Sequence, residues 1–155
     1  MRKKIIICIN IIIMIGLIYS CAKKEPANSP PSDVLTGKIT EQFGDLNRDV
    51  NDEKAKELFD GENDVDFSKI ENFSVKQSEY GEAGVFKLYS EANVGYIKDI
   101  AAERILNLQK DSGNSENLSI ANNAEVRSYG NYVYYVSHAE KDKIFKIIED
   151  ELKGA

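Results

Sequence analysis

The chain has 155 residues, and its 20 lysine and arginine residues stand against 26 aspartate and glutamate residues, which gives a formal net charge of −6 at pH 7. Nucleic-acid binding depends on lysine and arginine neutralising phosphates, so this acidic balance argues against a nucleic-acid partner. Only two cysteines are present, Cys8 and Cys21.

The first 20 residues have the pattern of a secretory signal peptide. Arg2, Lys3 and Lys4 precede an apolar run from Ile5 to Ile18 that is interrupted by Asn10. A membrane-spanning helix needs roughly 20 apolar residues. This run is shorter and suits the h-region of a signal peptide, which has about 7–15 residues. We expect cleavage, with an uncleaved signal anchor as the alternative.

The cleavage site has the chemistry of a lipid anchor. Ile18, Ser20 and Cys21 resemble the lipobox of bacterial lipoproteins, although Tyr19 is bulkier than that motif usually has. In such proteins the cysteine thiol is diacylated, with palmitate-type chains, and becomes the new amino terminus. Stable attachment needs two acyl chains or more, which this modification supplies. The sequence predicts cleavage between Ser20 and Cys21, lipidation of Cys21, and a place on the extracytoplasmic face of the cell membrane or in the outer membrane.

Cleavage changes the charge and the thiol content of the chain. The signal peptide carries three basic residues and no acidic ones, so the mature chain has 17 basic and 26 acidic residues and a net charge of −9. Cys8 leaves with the signal peptide and Cys21 is acylated. The folded domain then has no thiol for a disulfide or a metal, and its core must hold it together.

Residues 21–32 are predicted to be a lipidated cysteine followed by a proline-rich tether. The segment Ala22–Ser32 contains all three prolines of the chain. An extended segment of this kind spans about 3.1 Å per residue, or on the order of 30 Å in all. Lys23 and Lys24 are either attracted to anionic lipid or simply solvated. Residues 33–155 remain for a single domain.

Two short helices open the predicted domain. Leu35, Ile39 and Phe43 recur at helical spacing, and Gly44 is placed to end the helix. The second helix lies within Asn51–Gly61, with acidic residues in its first turn.

Strands and a long helix follow. Ile70–Val75 and Val85–Tyr89 are predicted strands joined by a glycine-bearing turn at Tyr80–Gly84. The apolar stripe of Ala92–Lys110 predicts the longest helix, and Asp111–Asn117 is a polar loop.

The last part of the chain predicts a hairpin and a closing helix. Gly130-Asn131 is a two-residue turn that accepts positive φ. Strand alternation places Val126, Ser128, Val133 and Tyr135 on one face and Tyr129, Tyr132, Tyr134 and Val136 on the other. Ser137 to Glu140 matches a capping box, and the helix after it carries an apolar side of isoleucine and leucine.

These elements predict an α+β fold. Two short amino-terminal helices are followed by the order β-β-α-β-β-α, with an antiparallel sheet and helices packed on one face.

Several segments resemble a known family. Residues 67–88 read FSKIENFSVKQSEYGEAGVFKL and residues 129–136 read YGNYVYYV. With Arg104 on the long helix and an amphipathic carboxyl-terminal helix, they resemble a "domain of unknown function" family of short, lipid-anchored cell-envelope lipoproteins, mostly Gram-positive. The likeness covers roughly Glu53 to Leu152. The positions that carry it are Glu82, Val85, Phe86, Lys87, Arg104, Gly130, Asn131, Tyr132 and Val133. The family has no assigned activity, so the resemblance implies a fold and an envelope location.

Two candidate chemical sites are weak. Asp45-Leu46-Asn47-Arg48-Asp49 resembles the start of a calcium loop, but Val50 and Lys56 stand where glycine and glutamate are required. A loop that caps the next helix is the better interpretation. His138 is the only histidine, and the sequence contains no G-x-S-x-G elbow that would present a serine to it, so we predict a helix-start role for His138. We expect no catalytic residue, no metal and no cofactor.

The candidate binding residues are Arg104 and four tyrosines. Arg104 either forms an ion pair with Glu82 inside the domain, which we favour, or binds the carboxylate or phosphate of a ligand. Tyr129, Tyr132, Tyr134 and Tyr135 are either a partly exposed aromatic platform or ordinary core.

The sequence therefore favours a membrane-anchored, non-enzymatic binding or protein-interaction module. Its partner would be an envelope protein or a small ligand. An envelope-acting hydrolase that uses Asp and Glu side chains, and a structural subunit of a membrane complex, are the alternatives.

Overall fold

The computed structural model describes residues 29–59 and 65–154. Five α-helices lie in these ranges: α1 Ser32–Gln42, α2 Asp52–Phe59, α3 Val94–Asp111, α4 Ser115–Asn122 and α5 Lys141–Gly154. The strands are β1 Arg48–Asp49, β2 Ile70–Gln77, β3 Glu82–Leu88, β4 Glu125–Tyr129 and β5 Tyr132–Ser137. The predicted α+β class is confirmed.

The five strands form one antiparallel sheet in the order β1-β2-β3-β5-β4. Every residue of the central strands β3 and β5 is buried. This burial corrects the expectation that helices cover one face only, since both faces of the sheet are packed against helices. The alternation in β5 identified correctly which residues share a face, but both of those faces are core.

The first face, which we call the α3 face, packs against α2 and α3. Phe86, Tyr135 and Phe59 form its aromatic centre. The rings of Phe86 and Tyr135 are stacked with centroids 6.4 Å apart, and Phe59 meets Phe86 edge-on at 5.2 Å. Pairs of aromatic rings in these orientations add to the free energy gained by burying their area.

The second face, which we call the α5 face, packs against α1 and α5. Leu35 and Ile39, predicted as the apolar stripe of the first helix, are fully buried here. Tyr134 lies under Phe145 of α5, with ring centroids 5.9 Å apart. The amphipathic character of both helices is thus explained by a single shared face of the sheet.

Different turns lie at the two ends of the sheet, which we call the distal end and the proximal end. At the distal end, the β2–β3 turn lies beside the end of β5, because Gln77 pairs with Glu82 and Glu82 pairs with Ser137. At the proximal end, Lys87 pairs with Tyr132. The turn between β4 and β5 is also proximal, and Gly130 there has φ +54°, as the sequence predicted.

The chain enters the folded domain at the proximal end of the sheet. It makes its first contacts there before residue 33, where the domain was predicted to begin. Tyr132 Oη donates to Pro30 O at 2.6 Å, and the backbone N–H of Ser32 donates to Asn72 Oδ1 at 2.7 Å. Ser32 is fully buried. The last residues of the predicted tether therefore belong to the domain, and residues 22–28, which lie outside the described ranges, separate Cys21 from it.

Two elements were missed. The two-residue strand β1 is too short to give a sequence pattern, and α4 begins inside the predicted polar loop Asp111–Asn117. Asn114 caps α4 by accepting from the backbone N–H of Asn117 at 2.9 Å. Only Ala121 of α4 is buried, which explains the missing apolar stripe.

Within the described ranges, no helix combines the length and the apolar character that crossing a membrane requires.

Gly84 makes a close packing contact possible. A Cβ at this position would lie 2.2 Å from Cε1 of Tyr135, whereas a Cβ at Gly37 in α1 would meet nothing within 4 Å. We expect Gly84→Ala to lower the free energy of unfolding by about 1–3 kcal/mol, because Tyr135 must leave its rotamer. Chemical denaturation of the purified chain measures this.

Gly37→Ala is the matched control for Gly84→Ala. It removes a flexible residue from a helix without a clash, so the free energy of unfolding should rise by about 0.5–1 kcal/mol. Equal effects of the two substitutions would show that the contact with Tyr135 does not constrain position 84.

Candidate functional site

A buried ion pair joins the sheet to the long helix. Glu82 is the first residue of β3, and Arg104 lies in the middle of α3. Arg104 Nε donates to Glu82 Oε1 at 2.8 Å, and Nη2 donates to Oε2 at 2.7 Å. The pairing between Glu82 and Arg104 that the sequence favoured is thus confirmed, and it is bidentate. Nη1 is the guanidinium nitrogen that Glu82 does not bind.

Two neighbouring strands complete the shell around Glu82. Tyr135 Oη of β5 donates to Glu82 Oε1 at 2.5 Å, and Gln77 Nε2 of β2 donates to Oε2 at 2.6 Å. Both partners follow from strand register, because Gln77 is opposite Glu82 and Tyr135 is opposite Gly84. We call Glu82, Arg104, Tyr135 and Gln77 the Glu82 network.

The Glu82 network holds its carboxylate ionised. Burial alone would raise the pKa of Glu82, but the hydrogen bonds and positive charge of Arg104, with the bonds from Tyr135 and Gln77, hold that pKa below its ordinary value. Burial and the charge of Glu82 raise the pKa of Tyr135 well above its ordinary value. Glu82 is therefore a fixed negative charge, and Tyr135 stays a hydrogen-bond donor.

A polar pocket of about 200 Å³ opens at the distal end of the sheet, beside this network. It lies between the β2–β3 turn and the segment that joins α3 to α4. Its lining includes Arg48, Gln77, Ser78, Glu79, Tyr80, Glu82, Arg104, Asp111, Ser112 and Asn117. Small-molecule sites usually have about 300–1,000 Å³, so this pocket admits only a small ligand or a single protruding group.

Asn117, which is one of the residues that line the distal pocket, carries an unsatisfied acceptor. In residues 29–59 and 65–154, its Oδ1 is the one buried side-chain oxygen or nitrogen without a hydrogen-bond partner. Buried polar atoms normally have a partner, so this oxygen is suited to accept from a bound molecule or from water.

The pocket also offers charged groups of both signs. Arg48 lies at its rim and donates through Nη2 to Ser78 O. Glu79 and Asp111 supply carboxylates, and Tyr80 Oη donates to Glu79 Oε1 at 2.6 Å. The arrangement suits a small polar molecule that carries both donors and acceptors.

Of the two interpretations of the hairpin tyrosines, ordinary core is the correct one for three of the four. Tyr132, Tyr134 and Tyr135 are at most 3 % exposed, because helices cover both faces of β5. Tyr129 is the exception at 45 % exposed, and it lies on the edge strand β4. Arg104 is also buried, and Glu82 occupies two of its nitrogens.

The residues of the predicted anchor, Ser20 and Cys21, lie outside the described ranges. Cleavage and lipidation there stay predictions.

Both imidazole nitrogens of His138, which lies in the segment before α5, make hydrogen bonds. Ser137 belongs to β5, so the predicted capping box is wrong. The backbone N–H of Glu140 donates to His138 Nδ1 at 3.1 Å, which leaves Nε2 to donate to Asp45 Oδ2 at 2.9 Å. This hydrogen bond lowers the pKa of Asp45. His138 therefore lies just before α5, as predicted, and its imidazole holds the turn that leads into the helix.

The acidic loop before α2 has a structural role. Asn51 Oδ1 accepts from the backbone N–H of Lys54 at 2.9 Å and so caps α2, as predicted. Asp45 is held by His138, and Asp49 pairs with Lys76. No three His, Cys, Asp or Glu side chains in the described part of the chain are grouped to hold a metal ion.

Sequence reasoning missed Gln77, Asn117 and Arg48. The pairing of Gln77 with Glu82 across the β2–β3 turn was accessible from strand alternation. Asn117 and Arg48 carried no signal, because they lie on a short helix and a two-residue strand that approach the pocket from distant parts of the sequence.

Comparison of the chain with protein-family models, with curated proteins and with solved structures found no match. The resemblance to envelope lipoproteins rests on the motifs described from the sequence.

Removing the charge of Glu82 should strongly destabilise the fold. Glu82→Gln keeps the shape of the side chain but leaves the Arg104 guanidinium buried without a counter-charge. We expect the free energy of unfolding to fall by roughly 3–5 kcal/mol at pH 7, as measured by urea denaturation. Asp150→Asn, which breaks the exposed pair with Lys146, is the control and should change it by less than about 0.5 kcal/mol.

The same pair predicts a pH dependence. Because the pKa of Glu82 is lowered by folding, its contribution is present above the unfolded value of about 4.5 and is lost as pH falls through the folded value. The wild-type chain should therefore lose stability faster than Glu82→Gln on acidification. Parallel curves for the two proteins would show that Glu82 is not held ionised.

Proposed function

We propose that the chain is a lipid-anchored lipoprotein of the extracytoplasmic membrane surface, and that its domain is a non-enzymatic module that binds a small polar molecule in the distal pocket. The chain joins the fold at the proximal end of the sheet, beside Tyr132. The pocket lies at the other end of β3, seven residues away, or roughly 20 Å at 3.3 Å per residue. An anchor attached before Ser29 leaves the pocket accessible from the side away from the membrane.

The state of Glu82 supports binding over proton transfer. Arg104, Tyr135 and Gln77 all donate to its two carboxylate oxygens, and the net effect lowers its pKa. A general acid needs a raised pKa near the working pH. Glu82 is better suited to fixing Arg104 and shaping the floor of the pocket.

A hydrolase is the second candidate, and one observation favours it. Glu79 and Asp111 line the same pocket as Glu82. Two carboxylates about 5–10 Å apart across a cleft are the arrangement that glycoside hydrolysis uses. Release of soluble fragments from cell-wall polymer, abolished in the double variant Glu79→Gln and Asp111→Asn, would favour this candidate.

The anchor predicts lipid incorporation at one cysteine. In cells fed an alkyne-bearing palmitate, the wild-type chain should be labelled and Cys21→Ser should not, because the thiol is the acylation site. Cys8→Ser is the matched control and should be labelled like the wild type, since that residue is removed with the signal peptide. Equal labelling of Cys21→Ser would contradict the anchor.

The pocket predicts a localised response to small polar solutes. We expect amide resonances of the ¹⁵N-labelled mature chain at Ser78, Gly81 and Ser112 to shift when alanine, glutamate, N-acetylglucosamine or inorganic phosphate is added at millimolar concentration. Resonances of α1, such as Lys38, report a distant surface and should stay fixed. Shifts confined to surfaces away from the pocket would contradict the assignment.

A further inference from the structure

Two exposed tyrosines lie at the proximal end of the sheet. Tyr89 is 65 % exposed and Tyr129 is 45 % exposed. Tyr129 pairs with Tyr132 and Lys87 pairs with Tyr132, so all three point to the α5 face. Tyr89 directly follows the last residue of β3, and its backbone N–H donates to Lys69 O at 3.2 Å, which holds it at the same end of the sheet. We call Tyr89 and Tyr129 the proximal tyrosine pair.

The chain leaves the fold next to this pair. Tyr132 Oη holds Pro30 O at 2.6 Å, and Lys87 Nζ reaches Ser29 O at 3.5 Å. Directly opposed residues on neighbouring strands have Cβ atoms about 4.5–5.5 Å apart, so Tyr129 lies one strand away from the residue that binds the linker.

We propose that the proximal tyrosine pair rests on the membrane surface and fixes the orientation of the domain, with the partner a neutral, zwitterionic lipid headgroup layer. This inference rests on the proposed anchor at Cys21. Tyrosine is enriched at membrane interfaces because its ring is apolar and its hydroxyl is wet. Neither hydroxyl of the pair has a hydrogen-bond partner among the described residues, so both are available to headgroups.

The length of chain outside the described ranges keeps the pair near the lipid. Eight residue steps separate Cys21 from Ser29, and a chain spans at most about 3.6 Å per residue, so the acylated cysteine lies within roughly 29 Å of Ser29. The proximal end is therefore the part of the domain that meets the membrane most often.

The charges around the pair favour a neutral surface. Lys87 pairs with Glu71 at 3.0 Å, and Lys69 pairs with Asp66. Glu91 is exposed beside the β4–β5 turn. With a mature net charge of −9, the domain has no excess of basic groups to attract an anionic membrane.

The chain contains no tryptophan, so a single introduced tryptophan reports its own position. Tyr89→Trp, Tyr129→Trp and Tyr80→Trp would be made in the full chain, lipidated in cells and reconstituted in phosphatidylcholine vesicles that carry a nitroxide on the headgroup. Tyr80 is the matched control, since it is 48 % exposed and lies in the distal β2–β3 turn. We expect emission from positions 89 and 129 to fall about twofold relative to vesicles without nitroxide, because interfacial aromatic rings sit at headgroup depth. Emission from position 80 should be unchanged.

Flotation of the vesicles separates the two proposals. If the chain floats with the vesicles but positions 89 and 129 are quenched no more than position 80, the anchor stands and the orientation is overturned. If the wild-type chain does not float, the anchor is overturned and the orientation with it. Should a substitution impair folding, the ¹⁵N-labelled wild-type chain in the same lipids gives the answer, with nitroxide broadening expected at Tyr89 and Gly130 and not at Tyr80 and Gly81.

Discussion

The bidentate contact between Glu82 and Arg104 is the interaction on which the rest of the structure depends. Both groups are buried, and a buried charge is tolerated only when its partner and its hydrogen bonds are in place. Arg104 comes from α3, Glu82 from β3, Tyr135 from β5 and Gln77 from β2. The contact therefore sets the position of the long helix along the sheet. It also builds the floor of the distal pocket, so the same residues serve the fold and the site.

Helices cover both faces of the sheet, and this determines which of its residues can contact a binding partner. The folded domain, from residue 29 onward, has no cysteine to cross-link it, and its stability must come from burial. Tyrosines that would make a binding platform on a one-sided sheet become core here, as Tyr134 does under Phe145. The two features that we connect with recognition lie at the two ends of the strands. The distal end offers a polar pocket, and the proximal end offers exposed aromatic rings beside the linker.

The pocket and the linker lie at opposite ends of the domain. Strands β2, β3 and β5 all run between the same two ends, and their length sets the separation of the pocket from the linker. A protein attached to a surface benefits from such an arrangement, because attachment does not obstruct the pocket. The orientation we propose follows from this geometry together with Cys21, and each part can be tested alone.

Local patterns in the sequence determined the elements and the facing of their residues. The helical spacing of Leu35 and Ile39, the turn at Gly130 and the alternation through Tyr135 were read correctly because each depends on contacts a few residues apart. Such a pattern indicates which side chains share a face. It does not indicate that both faces of β5 are core, because that depends on the packing of α1 and α3 against the sheet.

Only the tertiary structure decided the contacts between distant segments. Pro30 is bound by Tyr132, 102 residues along the chain, and Asp45 by His138, 93 residues along. The pocket likewise gathers Arg48 and Asn117 from elements too short to leave a periodic signal. Hydrogen bonds of this kind require precise placement of two remote backbones, and that placement results from packing of the whole core. The amino-acid sequence by itself therefore determined the class of fold and an anchoring motif, while the pocket, its unsatisfied oxygen and the two ends of the domain came from the folded chain.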